Sequence, residues 1–187
     1  MDIWLARHGA TAWSRSGQHT GVTDLPLLPD GEEEARAIGR RLDGHPFGRV
    51  LCSPLSRARE TARLAGHPDP EVTDLLREVD YGRYEGLTTK QIQADRPGWE
   101  LFDDGSPGGE TPEEIAERAD RLLAEIGEPD GDVLLFGHGH ILRALAARYL
   151  GMEVRVAGLL RLDAGSLSTL GHEHDHHALN LWNGRVR

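Results

Sequence analysis

Apolar residues gather in short unbroken runs at the start, in the first third and in the last third of the chain. The first run, Ile3-Trp4-Leu5-Ala6, stops abruptly at Arg7, His8 and Gly9. The others are Val50-Leu51-Cys52 and Val133-Leu134-Leu135-Phe136. Runs this short, without polar alternation, predict strands over residues 2–6, 49–53 and 132–136, buried on both faces. Between the first two lies DGEEEARAIGRRLDG. Its pattern predicts a helix with Asp30 as N-cap, glutamates in the first turn and Ala35, Ile38 and Leu42 on the buried face. A second helix is predicted from about Leu55 to Leu64. A third starts at Thr111, where Pro112 suits the first helical position and Glu114 completes a capping box. Ile115, Ala119, Leu122 and Ile126 form its apolar stripe. A fourth carries Ile141, Leu142, Leu145 and Tyr149 at helical spacing, and Gly151 stops it.

Strands alternating with helices predict a three-layer α/β/α sandwich around a mostly parallel sheet. The tail reads differently. VAGLLRLDAG, SLSTLGHE and HALNLWNGR predict three successive strands with short turns, an antiparallel C-terminal edge. Residues 79–110 are rich in Gly, Pro and Asp and read as an irregular, lid-like insertion with one short helix near Lys90. The whole of 1–187 reads as a single domain.

Composition narrows the function classes. Hydrophobic residues make up 38% and charged residues 28%, the balance of an ordinary globular protein. A formal charge of −10 argues against general binding to nucleic acid or to an anionic membrane, which need a basic face. One cysteine, Cys52, allows no internal disulfide and fits a reducing cytoplasm. No apolar run approaches a membrane span or a signal-peptide core.

Candidate chemistry sits at the strand ends, where open α/β sheets bind ligands. The first strand ends in Arg7-His8-Gly9. The second leads into SPLSRARET, with Arg57 and Arg59 at the start of a helix. The third leads into GHGH, with His138 and His140 before another helix. Taken singly, these are ordinary: a strand-end Arg-His at the surface, a solvated helix face. The glycines around His138 suggest close backbone approach. Three separate strand ends that all supply cations or imidazoles, in an acidic protein, predict a phosphate pocket.

RHG at the first strand end, SPLSRARETA at the second and GHG after a later one, with REVDYGRYEG between them, resemble the histidine phosphatase superfamily, also called phosphoglycerate mutase-like. SGQHTGVTDLPL and GLTTKQI make the chain most similar to the branch of small bacterial acid phosphatases and sugar-bisphosphate phosphatases. The resemblance implies a phosphoglycerate mutase-like fold and a phosphatase acting on small phosphomonoesters without metal or other cofactor. His8 would be the nucleophile, with Arg7, Arg57 and His138 around the phosphoryl oxygens. Glu78 would be the acid and base, preferred over Asp80, with a pKa raised near the phosphate dianion. The simpler alternative pairs Glu78 with Arg77 or Arg83 at the surface. Ser14, Gln18, His19, Thr20 and Gly21 would contact substrate, with Tyr81, Arg83 and His140 as further candidates. Ala10, where glutamate is frequent, and Ser14, where asparagine is frequent, depart from the family pattern and bear on specificity.

The implied partner is a small phosphorylated metabolite, and a homodimer is an allowed assembly. A phosphoglycerate mutase and a non-catalytic phospho-ligand binder stay open as alternatives. GHEHDHH, 171–177, has no closed zinc spacing and reads as a polar turn. Trp4, Trp13, Trp99 and Trp182 read as packing residues, with Trp13 and Trp99 near the pocket mouth.

Overall fold

A computed structural model of the chain describes residues 1–185. In chain order the elements are β1 (Ile3–Arg7), α1 (Ala12–Ser16), α2 (Pro29–Leu42), β2 (Phe47–Cys52), α3 (Ser56–Leu64), β3 (Glu71–Val72), α4 (Thr89–Asp95), α5 (Leu101–Asp104), α6 (Pro112–Ile126), β4 (Asp132–Gly137), α7 (Gly139–Tyr149), β5 (Ser166–Glu173) and β6 (His176–Arg185). Short 3-10 turns occupy Asp74–Leu76, Gly82–Tyr84 and Val154–Leu159.

The sheet runs β3-β2-β4-β1-β5-β6. β3, β2, β4 and β1 are parallel, and β5 and β6 add an antiparallel edge. Register, rather than proximity in sequence, assembles the site. Arg7 lies opposite Gly137, and Cys52 lies opposite Phe136. All three strands therefore end at one level, and the residues that follow them emerge side by side. The ladder continues one step further: His8 N–H donates to the Gly137 carbonyl and Ser53 N–H to the Phe136 carbonyl, each at 3.0 Å.

Both faces of the sheet are packed. Leu5, Leu51, Leu135, Ile141 and Leu145 fill one side. Ala6, Ile38, Ala58, Leu134 and Phe136 fill the other. The α6 capping box and its buried stripe are as the spacing predicts. Asp30 is not a cap. α2 begins at Pro29 after Leu28, and Asp30, in its first turn, pairs with exposed Arg15 of α1. The first of the three predicted tail strands, over 156–165, does not form: its start lies in the 3-10 turn Val154–Leu159, which packs on α7 through buried Ala157, so periodicity alone misreads it.

The 79–110 segment carries two short helices, α4 and α5, rather than one. It has a core of its own, in which Val79, Tyr81, Ile92, Trp99 and Phe102 pack on Ile115 and Ala144. Arg118 of α6 closes its base. The guanidinium donates to the carbonyls of Leu75 and Arg77 before the segment, at 3.0 and 2.7 Å. It also binds both carboxylate oxygens of Glu110 at its end, at 2.7 and 2.8 Å. The His-rich stretch forms the β5–β6 hairpin turn. His177 stacks on Tyr149 at 4.2 Å, and among the described residues no three His, Cys, Asp or Glu side chains gather as metal ligands. No described helix is long and apolar enough to cross a membrane.

Candidate active site

The ends of β1 and β4, the loop after α1 and the 79–110 segment enclose a cavity of about 240 Å³. Arg7, His8 and Glu78 line it. A larger groove past Pro26, Arg59 and Arg63 has no buried ionisable group in its wall, and Arg59 points into it rather than toward His8.

His8 is 5% exposed. Its Nδ1 lies 2.8 Å from the Gly9 carbonyl, which can only accept, so Nδ1 carries the proton and Nε2 keeps a free lone pair. Burial and the charges of Arg7 and Arg57 push its pKa down to about 3, which keeps the ring neutral. Arg7 is anchored by donation from Nη1 to the Leu162 carbonyl, while its buried Nε has no partner. The glycine beside His138 has a plain steric reason. A Cβ on Gly139 would stand 3.1 Å from the Arg7 guanidinium carbon.

Glu78 is almost fully buried and takes no surface partner; Arg77 pairs with Asp74 instead. Its carboxylate sits at the N-terminus of α7, accepting from the N–H groups of His140 at 3.0 and 3.1 Å and of Ile141 at 3.0 Å. Burial alone would raise its pKa, but hydrogen bonding from His140 outweighs burial and holds the carboxyl well below the usual range. The raised pKa predicted for it is therefore not a property of the fold alone. An arriving phosphate dianion has to supply the rise.

Tyr81, whose hydroxyl burial holds protonated, is hydrogen-bonded to His140 Nδ1. His140 is itself kept neutral chiefly by burial, so its 3.5 Å approach to Glu78 is not an ion pair. His138 is fully buried beside His8, with ring centroids 5.1 Å apart. Arg57, also buried, donates to the carbonyls of Thr20, Gly21 and Thr23 at 2.9 to 3.1 Å and holds that loop against the site. Arg57 and His138 thus stand behind the cavity wall rather than in it.

A family model described as histidine phosphatase superfamily (branch 1) matches residues 3–185. This chain belongs to that superfamily. The histidine phosphatase is 40% identical to an acid phosphatase of Mycobacterium tuberculosis, over 92% of this chain and 87% of the relative. It is 36% identical to the sedoheptulose 1,7-bisphosphatase of Saccharomyces cerevisiae, over 81% of this chain and 68% of the relative. A solved structure of an open reading frame from Mycobacterium tuberculosis superposes with a TM-score of 0.96 at 36% identity, covering 100% of this chain and 98% of that one. The phosphoglycerate mutase-like sandwich with its antiparallel edge is therefore shared with a solved relative.

Of the residues predicted to meet substrate in this histidine phosphatase, Ser14, Gln18, His19, Thr20, Tyr81 and His140 line the cavity. The Ser14 hydroxyl is occupied in the α1 capping box with Thr11. Gly21 is buried behind the wall, its N–H bound by Glu85. Arg83 is exposed and outside the lining, because the 3-10 turn that holds it turns its side chain to solvent. Ala10 faces a neighbouring hollow with Glu34 and Asp163 instead of the cavity. Trp99 is buried edge-on to His19, with ring centroids 5.5 Å apart, and Trp13 packs over Gly86. Sequence reasoning missed Thr89, which lines the cavity and meets His19 Nε2 at 3.2 Å. It also missed Ser53, which meets His138 Nε2 at 2.7 Å. Both lie inside the quoted motifs, where neutral hydroxyls drew no notice beside charged neighbours.

Proposed function

We propose that this chain is a phosphoric monoester hydrolase that acts on small phosphorylated metabolites, sugar phosphates among them, through a phosphohistidine on His8. The observation that carries this reading is the state of His8: neutral, with its tautomer fixed by Gly9, and with a free Nε2 facing a cavity walled by Arg7. Nε2 attacks phosphorus, the bond from phosphorus to the ester oxygen breaks, and Glu78 gives its proton to the departing alkoxide. Glu78 then takes a proton from water, whose oxygen displaces Nε2 and releases inorganic phosphate. Arg7 faces the phosphoryl oxygens, and Arg57 and His138 add charge and position from behind, as phosphoryl transfer requires. No step calls on a metal or cofactor.

The family membership and the relatives named as an acid phosphatase and a sugar bisphosphatase support this reading. A cytoplasmic setting fits the single buried thiol, and the net charge of −10 argues against nucleic acid or an anionic membrane as a general partner. The test is rapid quench with ³²P-labelled p-nitrophenyl phosphate. Label on residue 8, its loss in His8→Ala and steady release of free phosphate are the expected results. Label on another residue would refute the assignment, and isomer formation from 3-phosphoglycerate without phosphate release would favour a mutase.

A further inference from the structure

We propose that the leaving-group side of this cavity selects monophosphate esters of neutral polyhydroxy alcohols and disfavours leaving groups that carry a second anion. This rests on the hydrolase reading and narrows its substrate class.

The inference starts from where the positive charge lies. Among the lining residues Arg7 is the one cation, and the carboxylate of Glu78 opposes it in the same wall. Arg57 adds charge from behind, but its guanidinium already binds three loop carbonyls and His138. Two guanidinium groups suffice for one phosphate dianion. They leave nothing for a second.

The rest of the wall is uncharged. Gln18, Thr20 and Thr89 contribute amide and hydroxyl groups, and His19, Tyr81 and His140 contribute rings. Burial pushes the His19 pKa down to about 4 and lowers that of His140, so neither imidazole becomes a cation near neutrality. The nearby cations are engaged or turned away. Arg15 pairs with Asp30, and Arg143 binds the carbonyls of Ala157 and Gly158. Arg83 and Lys90 are exposed and outside the lining.

A phosphate or carboxylate pressed against such a wall would lose hydration without gaining an ion pair. The net charge of −10 adds long-range repulsion for polyanions. A sugar hydroxyl, by contrast, matches amide, hydroxyl and imidazole groups. The volume of about 240 Å³ suits a small metabolite, since drug-sized ligands occupy sites of about 300–1,000 Å³. The yeast relative is named for a bisphosphate. The preference proposed here therefore separates this chain from that relative.

The test uses matched pairs: fructose 6-phosphate against fructose 1,6-bisphosphate, and glycerol 3-phosphate against 3-phosphoglycerate. Phosphate release by the wild-type protein should show kcat/KM about tenfold or more higher for the first member of each pair. Thr89→Lys, which brings an ammonium into the neutral wall, should narrow both gaps. Equal or better hydrolysis of the bisphosphate and the carboxylate ester by wild type would overturn the proposal. Calorimetric titration of His8→Ala with the same four compounds reads the preference without turnover. Tighter binding of the neutral-alcohol members supports it, and equal or tighter binding of the others overturns it. If no compound is hydrolysed but the binding preference holds, the hydrolase reading fails and the selectivity stands.

Discussion

Arg57 Nε donates to His138 Nδ1 across 3.2 Å, and that bond determines which nitrogen of the second histidine carries a proton. A guanidinium can only donate, so Nδ1 accepts and Nε2 holds the hydrogen. Nε2 then donates to the Ser53 hydroxyl at 2.7 Å. His138 is thus a neutral ring locked between an arginine and a serine, with burial the main force lowering its pKa.

Ser53→Ala should release that lock. A buried N–H left without a partner costs about 1–3 kcal/mol, which a denaturation midpoint will read. Nitrogen-15 NMR should show His138 changing from one tautomer to a mixture, with kcat falling more than KM changes. A single unchanged tautomer would show that Arg57 alone suffices.

Gly139→Ala places a methyl group 3.1 Å from the Arg7 guanidinium carbon, so the Arg7 side chain must give way by a few tenths of an ångström. The expected result is a fall in kcat/KM of about tenfold or more, since small misplacements of a phosphate clamp are costly. The thermal midpoint should move little. Unchanged kinetics would mean that Arg7 has room to shift.

Glu78→Gln keeps an oxygen for the N–H groups of His140 and Ile141 but cannot give a proton to an alkoxide. Hydrolysis of an alkyl phosphate should slow far more than that of p-nitrophenyl phosphate, whose leaving group needs little protonation. Equal slowing of the two substrates would remove Glu78 from the acid role.

The histidine pKa values set the response to acid. Above pH 6.5, His8 is neutral in both folded and unfolded chains and contributes no pH dependence. Between pH 6.5 and about 3 the unfolded chain binds a proton that the folded chain refuses, so stability falls as pH falls. His19 behaves alike down to about 4. Each group contributes a slope of about 1.4 kcal/mol per pH unit within its window. Thermal midpoints should therefore drop from pH 7 to pH 5, while the nucleophile stays unprotonated and its nitrogen-15 NMR signal shows no break near 6.5. A break there would mean that His8 titrates as an ordinary histidine.

Much of this molecule is legible in its sequence because the signals are local. Thr111, Pro112 and Glu114 announce α6 within four residues, and the strand ends carry their arginines and histidines openly. What stayed hidden depends on contacts across the fold. VAGLLRLDAG has an apolar pattern that suits a strand, but its start packs in the 3-10 turn Val154–Leu159 on α7. Asp30 looks like a cap until the chain path puts Pro29 into the helix before it. Arg83 reads as a candidate substrate contact beside Tyr81, yet one turn of backbone sends it to solvent. The direction of the Glu78 shift needed the α7 N-terminus, which is contributed by residues more than sixty positions away.

Arg118 has a consequence for how such enzymes diversify. Because one side chain ties Leu75 and Arg77 to Glu110, the stretch between them hangs from a fixed neck. Glu78 belongs to the neck, whereas Thr89 and Trp99 belong to the part that hangs. Mutation or insertion in the hanging part can reshape what the enzyme recognises while the proton donor keeps its place. Recognition and chemistry are in this sense separately heritable.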